Sequence, residues 1–247
     1  MRINRFLARA GLGSRRGVEQ IVRDGRVTIG SEVVTDLGRQ VDPEVEEVRV
    51  DGRVVRPAVE HRVIVLNKPV GVVSSLRRQG DAPCLRDVLP SADRDLFHVG
   101  RLDRDSSGLL LMTNDGELSQ RILHPRNPVW KRYEVSTDRP VGDVELEAWR
   151  AGGIPMDGRP LVPARVERGP GPSHLVLELR EGRNRQIRRM VERAGAHVVS
   201  LHRTRFGPVD LGGLAAGGTR PVTTEEATAL RELAGHAEVV DDPSDGA

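Results

Sequence analysis

The chain has 247 residues, enough for one large domain or a small domain beside a medium one. A single cysteine, Cys84, excludes an internal disulfide, and the scattered histidines offer no metal-ligand spacing. With no apolar run of membrane-spanning length and no signal-peptide core behind the arginine-bearing N-terminus, a soluble cytoplasmic protein is expected, with no membrane partner and Cys84 as a structural thiol.

The formal net charge is only +2, but it is unevenly distributed. Residues 1–30 carry seven arginines against Glu19 and Asp24, and residues 180–205 carry eight against Glu181 and Glu192. Beyond Ala237 the chain is acidic, with Glu238, Asp241, Asp242 and Asp245, and a disordered tail over 237–247 is expected. Two basic patches on a nearly neutral chain imply a polyanion, most simply a nucleic acid, touched at two places.

In chain order, Ile3, Phe6, Leu7 and Ala10 fall at helical spacing, with Arg2, Arg5 and Arg9 on another face. Gly11-Leu12-Gly13 breaks that helix, Ser14 is placed to cap a second one with Val18, Ile21 and Val22 inward, and Gly25 ends it. Arg26–Ile29 and Glu32–Val34 around Gly30-Ser31 predict a hairpin, and Val48–Val50 a further short strand. Residues 51–61 read as a linker punctuated by Gly and Pro. The module resembles the S4 RNA-binding domain through Arg2–Leu7, Gly13-Ser14-Arg15-Arg16 and Asp24–Ile29. That resemblance implies an RNA face built from Arg5, Arg15, Arg16 and Arg26, whose forked donors suit phosphate.

A second domain opens with the strand-like Arg62–Leu66, which the turn Asn67-Lys68-Pro69-Val70-Gly71 ends. Residues 76–95 predict an irregular loop with a short helix. Leu109-Leu110-Leu111 belongs to a buried strand, and the polar residues before it form a loop at the strand's mouth. A short helix follows, with Asn114 and Glu117 at capping-box spacing, Leu118, Ile122 and Leu123 on its buried face, and Pro125 at its end. Residues 130–135 alternate like a strand, 144–150 are helical and 151–180 give turns and strands, Leu175–Leu179 the clearest. Glu181–Met190 begins a helix with the apolar stripe Ile187, Met190, Val191 and Ala194 and a closing Gly195. Residues 208–220 form a Gly-rich loop, and Thr223–Glu226 opens a final helix to about Ala234.

Chemistry concentrates in Gly100-Arg101-Leu102-Asp103-Arg104-Asp105-Ser106-Ser107-Gly108. Asp103 lies between two arginines at the edge of a core, where a carboxylate can be partly desolvated yet held ionised, and so can act as nucleophile or base. On the Glu181–Met190 helix, Arg185, Arg189 and Arg193 lie opposite the apolar stripe as an exposed basic ridge suited to phosphates. Arg188 flanks the stripe, and a half-buried arginine there needs a carboxylate, for which Asp103 is the candidate. Tyr133, the only tyrosine among six aromatic residues, offers a flat ring with a hydroxyl that can stack on a base.

Gly100-Arg101-Leu102-Asp103 with Ser107–Leu111, Asn67-Lys68-Pro69-x-Gly71, Lys131-x-Tyr133 and Asn184–Met190 occur in an order that resembles the pseudouridine synthases, in the subgroup with an N-terminal S4 domain that acts on ribosomal RNA. Ser106 stands where the family more often has Thr; the hydroxyl is kept. The resemblance covers about residues 1–235, and Gly11-x-Gly13-Ser14-Arg15-Arg16 is closer to the large-subunit (23S) enzymes. It implies isomerisation of a uridine within RNA, with no cofactor, by detaching the base at N1–C1′, turning it and rejoining it through C5. Asp103 would be the catalytic carboxylate, attacking C1′ or removing the C2′ proton. Tyr133 would stack on the base, Arg188 would pair with Asp103, and Lys68, Arg101, Arg104, Lys131, Arg185 and Arg189 would contact RNA.

The expected organisation is α+β: an S4-like RNA-binding domain over 1–60, then a catalytic domain over 61–236 with a mixed, largely antiparallel sheet and flanking helices. Ribosomal RNA, free or in a pre-ribosomal particle, is the expected partner of a monomer. Two rivals stand beside this reading. A glycosidase using Asp103 and Asp105 as an acid/nucleophile pair is disfavoured because aromatic sugar platforms are scarce. A non-catalytic RNA-binding assembly factor explains the basic patches but gives Asp103, Tyr133 and Arg188 no joint purpose.

Overall fold

The structure, a computed structural model, describes residues 1–43, 45–57 and 61–235; the acidic tail therefore lies outside the described residues. It falls into two compact units. The first takes Met1–Val63 together with Pro90–Phe97 and Met112–Asp115, and the second takes Ile64–Leu89, His98–Leu111 and the chain from Gly116 onward.

In the first unit, α1 (Ile3–Arg9) buries Ile3, Phe6 and Leu7, as its spacing predicts. The second helix, α2 (Glu19–Arg23), starts later than Ser14 suggests. Ser14 Oγ accepts from Gly17 N at 3.1 Å and so caps the turn that precedes the helix. The hairpin β1 (Val27–Ile29) and β2 (Glu32–Val34) pairs Val27 with Val34 and Ile29 with Glu32. Strand β3 (Val48–Val50) lies on the other side of β1. The stretch that reads as a linker instead supplies β4 (Arg53–Val55), which folds back on β3 through Asp51-Gly52, both at positive φ (50° and 76°). Asp-Gly between two valine-rich runs is the signature of such a turn, a signal present in the sequence. The sheet order is β2-β1-β3-β4, and Val27, Ile29, Val48 and Val50 share one core with Phe6, Leu7, Val18 and Val22.

Arg62 explains why later segments join this unit. Its guanidinium reaches Asp93 at 3.2 Å, Asp95 at 2.9 Å and the Ala92 carbonyl at 2.9 Å. Its backbone N–H donates to Asn114 Oδ1 at 2.9 Å, the residue whose side chain the sequence offers as a helix cap.

The second unit is built on a nine-stranded sheet. In chain order its elements are β5 (Val63–Lys68), α3 (Leu85–Val88), β6 (Phe97–Val99), β7 (Ser107–Thr113), α4 (Gly116–Leu123), β8 (Lys131–Thr137), α5 (Asp143–Ala151), the two-stranded hairpin β9 (Pro155–Met156) and β10 (Arg159–Pro160), β11 (Arg165–Arg168), β12 (His174–Leu179), α6 (Gln186–Arg193), β13 (Val198–Phe206), β14 (Val209–Asp210), β15 (Thr219–Pro221) and α7 (Thr224–Gly235). The sheet runs β11-β12-β8-β13-β7-β5-β15, with β14 on β13 and β6 on β7. β11, β12, β8 and β13 pair antiparallel, as do β15 and β5, whereas β13 and β7 run parallel.

Leu109 to Met112 of β7 are fully buried, as a continuous apolar run in a central strand requires. α7 begins with a reciprocal cap: Thr223 N donates to Glu226 Oε2 at 2.8 Å and Glu226 N to Thr223 Oγ1 at 3.2 Å. On α4, Leu118 and Ile122 are buried, but Leu123 is exposed. The longest strand, β13, escapes sequence reading because two register shifts break its alternation and because it carries Arg203 and Arg205.

Candidate active site

The head of β7 is fixed against β13, with Ser107 opposite His202 and Gly108 opposite Arg203. A Cβ on Gly108, whose φ is +103°, would lie 2.3 Å from the Arg203 carbonyl oxygen, so only glycine permits this parallel approach. Ser107 Oγ and His202 Nδ1 meet at 2.9 Å across the same two strands.

The loop that enters β7 is held at three points. Ser74 Oγ donates to the Leu102 carbonyl at 2.6 Å and accepts from Leu102 N at 3.1 Å, imitating a strand pairing. Gly71 N donates to the Arg104 carbonyl at 2.7 Å, and Arg104 Nε returns to the Gly71 carbonyl at 3.3 Å. Ser106 N donates to the Asp103 carbonyl at 3.1 Å. Between these fixings the Asp103 side chain is 32% exposed. Its carboxylate receives no hydrogen bond among the described residues; the nearest cation, Arg185 Nη1, lies 3.8 Å from Oδ2.

The arginines of α6 and its approach concentrate on the next carboxylate. Arg185 Nη1 and Nη2 donate to Asp105 at 3.1 and 3.0 Å. The side chain of Arg188 is 7% exposed, and its Nε lies 3.2 Å from Asp105 Oδ2, though out of line for a hydrogen bond. Arg188 Nη2 donates to the Asp105 carbonyl at 2.8 Å and to Ser106 Oγ at 3.4 Å, and Nη1 to the Val198 carbonyl at 3.3 Å. The expected Arg188–Asp103 pair is therefore corrected to Arg188–Asp105. Residue 105 lies nearer the β7 head, where β13 and the first turn of α6 converge. The hydrogen bonds from Arg185 hold the Asp105 carboxyl below the usual aspartate range; partial burial opposes them, and the charges of Arg188 and Arg185 add to the lowering.

Lys68 does not face solvent. It is 0% exposed, and its Nζ donates to the carbonyls of Pro69 at 2.9 Å and Val72 at 2.8 Å, closing the turn whose Gly71 holds Arg104. Burial pushes its pKa down to about 8, against the opposing charges of Asp105 and Asp103. The expected RNA contact is thus corrected to an internal strut. Lys131 is half-buried: its Nζ donates to the Val129 carbonyl at 3.0 Å and lies 5.7 Å from the Phe206 ring centre, and burial with Arg203 nearby pushes it down to about 8. Tyr133 sits half-buried on β8, between Leu177 of β12 and Arg203 of β13, and packs against the core of the second unit. It is two strands from β7, about 10 Å at the usual strand spacing.

The basic ridge is exposed at Arg185 and Arg193 and half-buried at Arg189, and its guanidiniums have partners within the chain. Arg189 forks onto Asp157 at 2.7 and 2.6 Å, and Arg193 donates to the Pro155 carbonyl. Arg183 reaches the carbonyls of Met156, Arg159 and Pro160 as well as Glu181. Together they clamp the β9–β10 hairpin. In the first unit Arg5, Arg15, Arg16 and Arg26 are all exposed, Arg26 while forking onto Asp51 at 2.9 and 2.5 Å, and Arg101 and Arg104 are exposed in the second.

Several residues that shape the site escape sequence reading. Ser74 carries no motif signal. Arg203 counts along the chain with the basic patch but is 2% exposed, its Nε on the Leu109 carbonyl at 2.7 Å. Asp105 shows in the sequence only as a second acid two residues from the first. Among the described residues no cluster of His, Cys, Asp and Glu could hold a metal ion, and no helix is long and apolar enough to cross a membrane.

Comparison with known proteins accounts for both units. A family model described as RNA pseudouridylate synthase matches residues 62–193, and an S4 domain model matches residues 1–46. The chain is 40% identical over 240 residues to an uncharacterized RNA pseudouridine synthase of Mycobacterium tuberculosis, covering 95% of this chain and 94% of that protein. It is 34% identical to ribosomal large subunit pseudouridine synthase B of Bacillus subtilis (95% and 97% covered) and 35% identical to the dual-specificity RNA pseudouridine synthase RluF of Escherichia coli O157:H7 (94% and 79% covered). A crystal structure of a pseudouridylate synthase superposes with a TM-score of 0.67 at 30% identity, over 93% of this chain and 99% of that one.

Proposed function

This chain belongs to the RNA pseudouridylate synthase family, and from that premise we propose that it converts one uridine of ribosomal RNA, in the large-subunit 23S molecule, to pseudouridine with Asp103 as the catalytic carboxylate. The observation that carries the assignment is the state of Asp103: fixed by its backbone at the head of β7, partly exposed, beside a guanidinium, and with no hydrogen bond to its oxygens among the described residues. The reaction is redox-neutral. The N1–C1′ bond breaks, the base turns, C5 bonds to C1′, the C5 proton leaves and N1 gains a proton. An ionised carboxylate with an open oxygen serves either entry to this sequence, attack on C1′ or removal of the C2′ proton.

The target uridine must leave its stack to reach Asp103, at a cost of a few kcal/mol that contacts elsewhere on the RNA offset. Tyr133 supplies a flat ring for the extruded base, and the exposed Arg101 and Arg104 flank the entrance. Arg188 acts through the loop it anchors rather than by touching Asp103. Residues 1–60 hold the RNA through Arg5, Arg15 and Arg16, while residues 61–236 perform the chemistry, in a cytoplasmic monomer acting on rRNA free or in a pre-ribosomal particle. The large-subunit choice follows the name of the Bacillus subtilis relative, a ribosomal large subunit pseudouridine synthase.

The test is a pseudouridine map of rRNA from cells lacking the protein, complemented with wild type or with Asp103→Asn. One site should lose pseudouridine, and wild type alone should restore it, while Asp103→Asn still binds the rRNA fragment. An unchanged map, together with no activity of the purified protein on rRNA fragments, would overturn the assignment in favour of an RNA-binding assembly factor.

A further inference from the structure

Eight arginines lie between residues 180 and 205, and seven of them meet a carboxylate or a carbonyl of the chain. Arg180 is the eighth. It is exposed, and among the described residues its guanidinium has neither a hydrogen bond nor a carboxylate; it lies instead 5.1 Å from the centre of the Trp130 ring. Arg165 lies over the same ring at 4.2 Å. Strand pairing explains this gathering. Arg165, Glu178 and Arg132 stand directly opposite one another on β11, β12 and β8, and Lys131 opposite Leu179 sets Trp130 beside Arg180. Leu175, Leu177 and Leu179 of β12 turn into the core, so Glu178 and the residues level with it face outward. Arg132 and Arg165 hold the two oxygens of Glu178 at 3.3 and 3.2 Å. Arg132, Arg165 and Arg180 therefore share one carboxylate and leave positive charge in excess around the ring. Arg205, next along on β13, is balanced by Asp210. Glu134 and Glu167 face outward from the following row, so the excess is confined to the end that carries Trp130.

We propose that Trp130, Arg165 and Arg180 form an accessory phosphate-binding site for the RNA substrate on the outward face of this sheet: the indole holds the two guanidiniums, and they neutralise two backbone phosphates beside the target uridine. The inference rests on the reading of ribosomal RNA as the substrate. A guanidinium lying over a ring uses its face on the π system and keeps its N–H edge for other acceptors. The Arg165 side chain is 65% exposed even with Glu178 at one Nη. Two long side chains are thus ordered before any ligand arrives, which lowers the entropic cost of binding, and forked donors suit phosphate. The ring itself is fixed from behind, since the Trp130 carbonyl accepts from Gly207 N at 2.8 Å. Trp130 stands three residues before Tyr133, about 10 Å along β8, near enough for one RNA to touch both.

The experiment is equilibrium binding of the full chain to an rRNA fragment carrying the target uridine, over a range of salt. The variants are Arg180→Gln, the double variant Arg165→Gln with Arg180→Gln, Trp130→Leu and Trp130→Phe. Each glutamine should lower the slope of log K against log salt by about 0.7–0.9 and weaken binding about five- to eightfold near ~0.1 M salt. Trp130→Leu keeps both charges but frees the side chains, so the slope should hold while affinity falls about fivefold. Trp130→Phe retains a ring and should keep most of the affinity. A packing role alone would weaken Trp130→Leu and Trp130→Phe alike and leave the slope of both glutamine variants unmoved, and that result overturns the proposal. If Trp130→Leu fails to fold, the glutamine variants decide, because both arginines are exposed: an unchanged slope in the double variant overturns it. An unchanged slope with RNA but lost binding to pre-ribosomal particles would assign the surface to an acidic protein, and overturns it equally. Wild type with no salt-dependent affinity for rRNA fragments would remove the premise, whereas wild-type affinity and slope in all four variants would remove only this inference.

Discussion

Residues 1–30 and residues 180–205 are near twins in sequence, each with seven or eight arginines against two acids. Folded, they diverge. In the first, Arg15 and Arg16 stand exposed in the turn before α2, with no acidic partner among the described residues. In the second, Arg185 and Arg188 share Asp105, Arg189 takes Asp157, Arg183 and Arg193 take carbonyls of the β9–β10 hairpin, Arg203 is buried on Leu109 and Arg205 pairs with Asp210. The difference lies in what surrounds each stretch. Turns bearing Asp105 and Asp157 reach the second from distant parts of the chain and Asp210 faces Arg205 from the adjoining β14, whereas in the first Arg23 pairs with Glu19 of its own helix and Arg26 with Asp51. Charge counted along a chain becomes a binding surface only where the fold brings no carboxylate or carbonyl of its own to meet it.

The largest effect that can break this contrast is on stability. Arg188→Ala would leave the Asp105 and Val198 carbonyls without their donor and Asp105 without its buried cation. The expected cost is about 3 kcal/mol in urea unfolding, the range seen when one partner of a buried charged contact is removed. A midpoint equal to wild type would mean that the second cluster is not architectural. Lys68 sharpens the same point through pH. Its pKa is depressed to about 8 in the folded protein from an ordinary 10.5, so below about 8 the fold bears the penalty of an enclosed charge. The unfolded chain holds the proton longer, and stability therefore rises with pH across that window. Relative to Lys68→Met, wild type should gain about 2 kcal/mol between pH 7.5 and 9.5. A pH-independent difference would show that the ammonium is not enclosed.

The same contrast explains which features are legible in the sequence. Helical and alternating periods locate α1, the β1–β2 hairpin, β7, β8, β12 and α6, because in each the apolar residues mark a face that the structure buries. The motif order locates the loop of Asp103. Periodicity fails at β13, where bulges interrupt the alternation, and at β4, where Asp51-Gly52 reads equally well as linker punctuation. Charge partners are the least legible. Asp103 and Asp105 are two residues apart, and only the descent of α6 toward the head of β7 decides which of them Arg188 meets. Lys68 misleads because a lysine in a turn is ordinarily solvated, and only its two hydrogen bonds to carbonyls reveal the enclosed site.

The smallest effect is the most diagnostic for the first cluster. Replacing Arg15 and Arg16 by alanine removes exposed charges that hold nothing of the fold, so the unfolding midpoint should stay within about 0.5 kcal/mol of wild type. Each phosphate that is no longer neutralised should lower the slope of log K against log salt by about 0.7–0.9, so the pair should reduce the slope with an rRNA fragment by between about one and two. kcat at saturating RNA should be unchanged, because neither arginine belongs to the unit that carries Asp103. The matching change at the other cluster, Arg189→Ala, should leave the salt slope where it is, since Asp157 already occupies that guanidinium. Should Arg189→Ala lower the slope as much as the Arg15/Arg16 pair does, RNA must displace Asp157 on binding, and the two clusters would differ in what covers them before the RNA arrives rather than in what they bind.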